Sequence, residues 1–356
     1  MKIGIPTEIK TLEARVGLVP AACAALVEAG HEVFLQKDAG KLSGYDDKEY
    51  TNVGVKILPD AKAVYGTAEM IVKVKEPIGP ELDLLKAHHL LFSYLHLAAE
   101  PALARSLQKI GLTAVAFETV EEQGRLPLLA PMSDIAGRLA VQIGANLLQR
   151  PHGGKGLLLG GLPAAERGHV VVLGAGLAGG NSTIMAAGMG ARVTVFDHKR
   201  ERLEAMRAIG PNVTALYPYP DSIRKAVISA DLVVGAVLRT GYRAPHIVTT
   251  EMVKQMAPGS VIVDISVDQG GCVETTRPTN YQNPTYVEHG VVHFAVTNMP
   301  GAVPRSSSQA LSASLIPYVL ELAAGQWRKN PALVAGINVE KGKLVHPALI
   351  HDLGQG

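Results

Sequence analysis

Four polar side chains stand where the surrounding residues could put them to chemical use. Arg15 lies in Glu13-Ala14-Arg15-Val16-Gly17-Leu18, just before a helix start. A guanidinium is a planar fork of donors that matches a carboxylate, and a surface ion pair is the competing reading. Lys75 closes the apolar run Ile71-Val72-Lys73-Val74-Lys75 ahead of Glu76-Pro77. A lysine at the carboxyl end of a parallel strand faces the edge where open α/β sheets bind ligands, unless it is only a solvated strand-end charge. His96 ends the run Phe92-Ser93-Tyr94-Leu95-His96-Leu97. Its imidazole can exchange protons near neutral pH, although a lone histidine beside a sheet is often structural. Asp268 sits in the turn Val267-Asp268-Gln269-Gly270-Gly271, where glycines let backbone approach a ligand and where turns favour aspartate in any case.

A fifth feature is the spacing G-x-G-x-x-G in Gly174-Ala175-Gly176-Leu177-Ala178-Gly179. It follows the β-branched run His169-Val170-Val171-Val172-Leu173 and opens an Ala/Met-rich helical stretch. A second run, Val193-Thr194-Val195-Phe196, ends at Asp197, about 20 residues past the second glycine. In that context Gly174 permits the tight turn, Gly176 lets backbone reach a pyrophosphate, and Gly179 lets helix and strand pack closely. The helix N-terminus offers its N–H groups to the phosphates. Asp197 is placed to accept hydrogen bonds from the adenosine ribose.

The elements that must position these residues alternate. Lys2–Pro6, Glu32–Gln36, Met70–Lys75, Leu90–Leu95 and Thr113–Glu118 read as strands, with helices over Pro20–Ala29 and Glu100–Ile110 closed by Gly30 and Gly111. A long apolar-rich helix is expected over Asp134–Leu148 with Ser133 at its N-cap. Beyond the glycine-rich loop 150–156, a second series runs through His169, Arg192–Phe196, Leu232–Ala236, Ser260–Ile265 and Val291–Val296, and Ser306–Ala324 reads as a helix. Such alternation predicts two α/β domains, each a mostly parallel, doubly wound sheet, with a cleft between them.

Composition narrows the function. The 356 residues allow about two domains. Lys+Arg at 34 against Asp+Glu at 32 leaves +2, too little for a nucleic-acid surface. Cys23 and Cys272 are too few for a disulfide framework or a four-thiolate metal site, and point to reduced, cytoplasmic-type usage. The stretch from Gly168 to Ala191 lacks acidic and basic residues, but its glycine turn reads as strand, turn and helix rather than a membrane span. No export signal is read at the N-terminus. The metal-hydrolase, serine-hydrolase and P-loop motifs are missing, so no metal site is expected.

Six ordered strings resemble the alanine dehydrogenase family: Thr7-Glu8-Ile9-Lys10 with Arg15-Val16-Gly17-Leu18, Lys73-Val74-Lys75-Glu76-Pro77, Tyr94-Leu95-His96-Leu97-Ala98, Gly174 to Gly179, Asp268-Gln269-Gly270-Gly271-Cys272 and Asn298-Met299-Pro300-Gly301-Ala302-Val303-Pro304. The resemblance runs from about residue 1 to residue 325. It implies an NAD-dependent enzyme that interconverts L-alanine with pyruvate and ammonium. Arg15 and Lys75 match its substrate-binding positions, and His96 and Asp268 its catalytic ones. Besides the glycine motif and Asp197, its nucleotide-contacting positions fall on Ser133, Leu177, Ala178, Arg202, Val237, Leu238, Ile265, Ser266, Val267, Asp268, Arg277, Val296, Thr297, Asn298 and Met299. The resemblance also implies a substrate domain from residues 1–130 and 305–356, a Rossmann NAD-binding domain over 131–304, and a cytoplasmic homo-oligomer, a hexamer. The soluble nucleotide-binding part of a transhydrogenase, which has a related fold, is the alternative. This chain departs from the family at Tyr217-Pro218, where a small hydroxyl residue is expected, and at Leu238-Arg239-Thr240-Gly241. Its tail beyond Trp327 matches poorly.

Overall fold

The computed structural model describes residues 1–237 and 245–353. Six apolar runs form β1 (Lys2–Ile5), β2 (Glu32–Gln36), β3 (Lys56–Leu58), β4 (Met70–Val72), β5 (Leu90–Ser93) and β6 (Thr113–Ala116). The second series supplies β7 (His169–Leu173), β8 (Arg192–Phe196), β9 (Val213–Leu216), β10 (Leu232–Gly235), β11 (Val261–Asp264), β12 (Thr285–Glu288) and β13 (Val291–Phe294). The tail adds β14 (Ile337–Glu340) and β15 (Lys343–Leu344). The chain divides into two compact units, Met1–Met132 with Gly301–Gly356, and Ser133–Pro300.

The first unit holds an eight-stranded sheet in the order β15-β14-β6-β5-β4-β1-β2-β3, and the second a seven-stranded sheet in the order β12-β13-β11-β10-β7-β8-β9. Within the first, β1 to β6 pair in parallel, and the tail closes that edge by antiparallel pairing of β14 with β6. In the second, only β12 runs antiparallel, against β13. Both sheets are therefore doubly wound, and each reverses its strand order once: beside β1 in the first and beside β7 in the second. Open α/β sheets bind ligands at the carboxyl ends of the strands at such a reversal. Strands covered on both faces should be apolar throughout, and β4, β7, β10 and β11 are buried at every residue.

Helix ends follow the sequence signals. The helix Pro20–Glu28 closes with Gly30 at φ +83°, the N–H groups of Gly30 and His31 bonding back to Val27 and Leu26 in a Schellman arrangement. Two expectations are corrected. The helix expected from Asp134 begins at Ala130, with Pro131 in its first turn as proline's fixed φ favours, so Ser133 lies inside the helix rather than at its cap. Lys75 and His96 stand three residues beyond β4 and β5 instead of within them, because regular pairing stops at Val72 and Ser93. No described helix is long and apolar enough to cross a membrane.

Candidate functional site

The loops leaving β1, β4 and β5 gather charge at the strand-order reversal of the first sheet. Arg15, on the β1 loop, is 3% exposed. Its Nε and Nη2 donate to Oε1 and Oε2 of Glu13 at 2.6 and 2.5 Å, and its Nη1 lies 3.1 Å from Met132 Sδ. Burial works against the guanidinium charge, and Glu13 more than restores it. The Nε–Nη2 edge of the fork thus already holds a carboxylate. Lys75 is half-buried, and its Nζ makes no hydrogen bond or ion pair among the described residues. Burial first, and then the Arg15 charge, pull its ammonium below the ordinary lysine value, while Glu76 and Glu13 pull it back. Arg15 and Lys75 thus lie within electrostatic reach of one another at this edge, Arg15 paired with Glu13.

The support beneath Lys75 is a buried ionic cluster. Lys73, 1% exposed, lies 3.2 Å from both Glu8 and Glu81. Glu8 also accepts the Val74 and Lys75 N–H groups at 2.5 and 3.3 Å, and Glu81 takes the Tyr65 hydroxyl at 3.0 Å and the Ile78 N–H at 3.0 Å. The backbone around Lys75 is fixed on both sides. Sequence reasoning passed over Glu8, Lys73 and Glu81 as agents, although a lysine inside the run Ile71–Val74 carried the signal: on a strand buried on both faces its ammonium must find an acidic partner.

His96 is exposed and holds φ +50°, a left-handed conformation uncommon outside glycine. Glu118, just past β6, accepts its N–H at 2.6 Å and that of Leu95 at 3.2 Å. The imidazole stacks parallel to the Tyr94 ring, centroids 5.8 Å apart, and the Tyr94 hydroxyl donates to the Leu128 carbonyl at 2.6 Å. Arg15, Lys75 and His96 are thus brought to one sheet edge, each with its backbone held by a glutamate. Glu13 and Glu118 had no motif to reveal them.

In the second unit the glycine motif leaves β7 at the reversal point. Gly174 has φ +93°, and a Cβ there would lie 2.7 Å from the Ala236 carbonyl oxygen. A Cβ on Gly179 would fall 1.7 Å from the Gly174 carbonyl oxygen. At Gly176, by contrast, the nearest heavy atom to an added Cβ is Arg202 Nη1 at 3.8 Å, so this face of the turn is open. The helix Leu177–Gly188 that follows has no side-chain cap, leaving its first N–H groups for an anion. Asp197, 5% exposed at the end of β8, accepts the Ala175 N–H at 2.8 Å, the Lys199 N–H at 2.8 Å and Arg202 Nη1 at 3.2 Å. Burial raises its pKa, but those donors outweigh burial and hold the carboxyl below the usual aspartate range.

The remaining expected positions cluster at the carboxyl ends of the same sheet. Val237 follows β10, and its carbonyl accepts the Ser266 hydroxyl at 2.8 Å. Ile265, Ser266, Val267 and Asp268 form a short 3₁₀ turn after β11, with Asp268 exposed. Buried Asp264 anchors that turn through the Ser266 and Cys272 N–H groups, both at 2.9 Å. Val296, Thr297, Asn298 and Met299 follow β13, with Asn298 at φ +65° and the Met299 carbonyl accepting the Tyr281 hydroxyl at 2.8 Å. Arg277 stands with its guanidinium 4.0 Å from the centre of the Tyr286 ring. Leu238, with Arg239, Thr240 and Gly241, lies outside the described residues. Ser133 is carried by the helix Ala130–Leu147, whose Gly137 comes so near the glycine-motif helix that a Cβ would meet the Ala178 carbonyl oxygen at 2.0 Å. Asn181 bridges Asp134 and Arg138 at 2.8 and 2.9 Å. These packing residues carried no motif.

Two doubly wound sheets, one carrying a glycine turn and the other a cationic edge, define a two-domain protein of the α/β class. Residues 4–136 match the family domain described as Alanine dehydrogenase/PNT, N-terminal domain, and residues 140–347 its C-terminal domain. The chain is 49% identical to an alanine dehydrogenase of Methanococcus maripaludis over 99% of its own length and 97% of the relative's. It is 48% identical to one of Bacillus subtilis, over 99% and 95%. A solved L-alanine dehydrogenase superposes with a TM-score of 0.97 at 49% identity, covering 100% of this chain and 99% of that one. A solved transhydrogenase of Sinorhizobium meliloti gives 0.86 at 23% identity over 98% and 100%, a likeness of fold alone. The chain belongs to the alanine dehydrogenase/PNT family.

Proposed function

We propose that this chain catalyses the NAD-dependent oxidative deamination of L-alanine to pyruvate and ammonium, and the reverse reductive amination. Full-length identity of 45–49% to alanine dehydrogenases favours this reading over a transhydrogenase subunit. The observation that carries it is the buried Arg15 with half-buried Lys75 at the strand-order reversal of the first sheet: two cations able to hold the carboxylate common to alanine and pyruvate.

NAD, when bound, supplies the hydride acceptor. The residues fit it, since Gly176 leaves the turn open, the helix from Leu177 offers N–H groups, and Asp197 at the end of β8 is an ionised acceptor able to take ribose hydroxyls. In this reading Gly174 to Gly179, Asp197, Arg202, Val237, Ile265 to Asp268, Arg277 and Val296 to Met299 hold the dinucleotide, with Ser133, Asn298 and Met299 on its nicotinamide side. Arg15 binds the substrate carboxylate, and Lys75 contacts the carbonyl oxygen. Oxidation at the α-carbon leaves an iminium that adds water, and the resulting carbinolamine collapses to pyruvate and ammonium. His96 moves the proton of the hydroxyl, and Asp268 that of the attacking water or departing amine.

The decisive assay is NADH formation from L-alanine and NAD, expected at a rate well above that with no amino acid. Hydride exchange between nucleotides with no alanine turnover would establish the transhydrogenase reading instead. We assign the chain to the cytoplasm, in keeping with its two free, buried cysteines. It assembles as a homohexamer, so light scattering at working concentration is expected to report six chains, and a monomer refutes this.

A further inference from the structure

The peptide groups on either side of Lys75 decide where its side chain emerges. Two backbone bonds extend the pairing of β4 with β5 beyond Val72, from the Lys73 N–H to the Phe92 carbonyl at 3.2 Å and from the Tyr94 N–H to the Val74 carbonyl at 3.1 Å. Lys75 is held differently. Its N–H donates to Glu8 Oε2 at 3.3 Å, and its carbonyl accepts Lys73 Nζ at 3.0 Å. Glu8 and Lys73 lie 3.2 Å apart, so both polar backbone groups of Lys75 end on the two members of one ion pair. The same pair holds the adjoining peptides, Glu8 Oε1 taking the Val74 N–H at 2.5 Å and Lys73 Nζ reaching the Glu76 carbonyl at 3.4 Å.

The side chains of Glu8 and Lys73 are only 2% and 1% exposed. Taking two such charges out of water costs about as much as their attraction returns, and apolar residues of similar volume often serve stability as well or better. Stability alone therefore does not account for the pair, whereas a fixed course for the backbone between them does. We propose that Glu8 and Lys73 are positioning residues for Lys75: the pair fixes the backbone from which the Lys75 ammonium reaches the substrate, so affinity for the 2-oxo acid depends on a carboxylate that never touches it. This rests on the reading above, in which Lys75 contacts the substrate's carbonyl oxygen. A lysine ammonium sits on a long flexible stem, and binding must freeze that stem together with any motion of its root. Holding the root in advance removes part of that cost.

The test reads pyruvate affinity from the nicotinamide fluorescence of the NADH complex, without ammonium, so that no turnover is needed. Glu8→Gln leaves Lys73 its second partner, Glu81. It is expected to weaken pyruvate about tenfold, the scale of one charge-assisted hydrogen bond, with NADH affinity within about twofold of the unmodified protein. Lys75→Met is expected to weaken pyruvate by itself, and Glu8→Gln added to it should cost less than about twofold more, because a residue that acts through Lys75 then has nothing to act on. Unchanged pyruvate affinity in Glu8→Gln overturns the proposal. So does an equal loss in both backgrounds, which would mean that Glu8 serves the fold and not Lys75. Should Glu8→Gln fail to fold, Glu8→Asp keeps the charge on a shorter arm. It is expected to weaken pyruvate several-fold where Lys75 is present and not where it is absent, and any other pattern also overturns the proposal. Lys75→Met with pyruvate affinity unmoved would remove the underlying reading of Lys75 and the proposal with it, whereas Lys75→Met that weakens pyruvate beside a silent Glu8→Gln would sink the proposal alone.

Discussion

His96→Ala is expected to lower kcat by ~10²–10⁴-fold, the range for removing a positioned general acid or base, while NADH affinity measured by nicotinamide fluorescence stays as in the unmodified protein. The two readouts separate because His96 belongs to the first unit and the residues proposed to hold the dinucleotide belong to the second. Everything around His96 spends interactions on placing the ring. Its left-handed backbone is held by the Glu118 carboxylate at 2.6 Å, and its ring lies parallel to Tyr94, whose hydroxyl is itself fixed. A non-glycine residue kept in a sparsely populated region by a charged acceptor is the pattern expected where orientation matters to function. KM for pyruvate should change little, since in the proposed reading Arg15 and Lys75 hold the carboxylate. Wild-type turnover in the variant would remove His96 from the chemistry.

What the sequence disclosed and what it hid divide along physical lines. The glycine motif, its flanking strands and Asp197 were legible because the turn, the close helix packing and the strand-end acid impose residue types at fixed spacing. The apolar runs of β4, β7, β10 and β11 were legible because strands covered on both faces cannot carry many polar residues. The supports were not. Glu118 reaches His96 across 22 positions in sequence, and Glu8 reaches Lys73 across 65. Such partnerships are made by strand order, which no local spacing encodes. Gly137 is similar: nothing local distinguishes a mid-helix glycine that admits the Ala178 carbonyl from one that merely weakens the helix. The tail beyond Trp327 matches the family pattern poorly, and its β14 shows why a weak pattern can still be structural. It lies between β15 and β6 and pairs with both, so the ladders on its two sides support a strand whose own pattern is weak.

Cofactor choice is expected to favour NAD over NADP by at least about tenfold in kcat/KM, or ~1.4 kcal/mol. Two features oppose each other at the end of β8. Asp197 is ionised at neutral pH and nearly buried, so a 2′-phosphate on the adenosine ribose would set two anions in contact at about 3 Å, where their repulsion at a partly desolvated site amounts to several kcal/mol before relaxation. Against this stand His198, Lys199 and Arg200. The Arg200 guanidinium, however, is 87% exposed and paired with Glu204 along its own helix, and flexible surface cations of this kind contribute under ~1 kcal/mol each. Arg202 is already engaged with Asp197 at 3.2 Å, so its charge offsets the aspartate instead of waiting for a phosphate. Asp197→Ala is then expected to act twice. It removes the repulsion, leaving Lys199 and Arg202 unopposed and narrowing the NAD to NADP ratio. It also strips the Ala175 N–H, the Lys199 N–H and Arg202 of their acceptor beside the glycine turn, so NAD kcat/KM should fall by roughly tenfold to a hundredfold, three hydrogen bonds to a charged group being lost. Steady-state kinetics with both nucleotides on the two proteins checks the pair of effects. Equal kcat/KM for NAD and NADP in the unmodified protein would show that the basic run outweighs the aspartate, and a variant whose ratio does not narrow would show that Asp197 serves only to hold the turn.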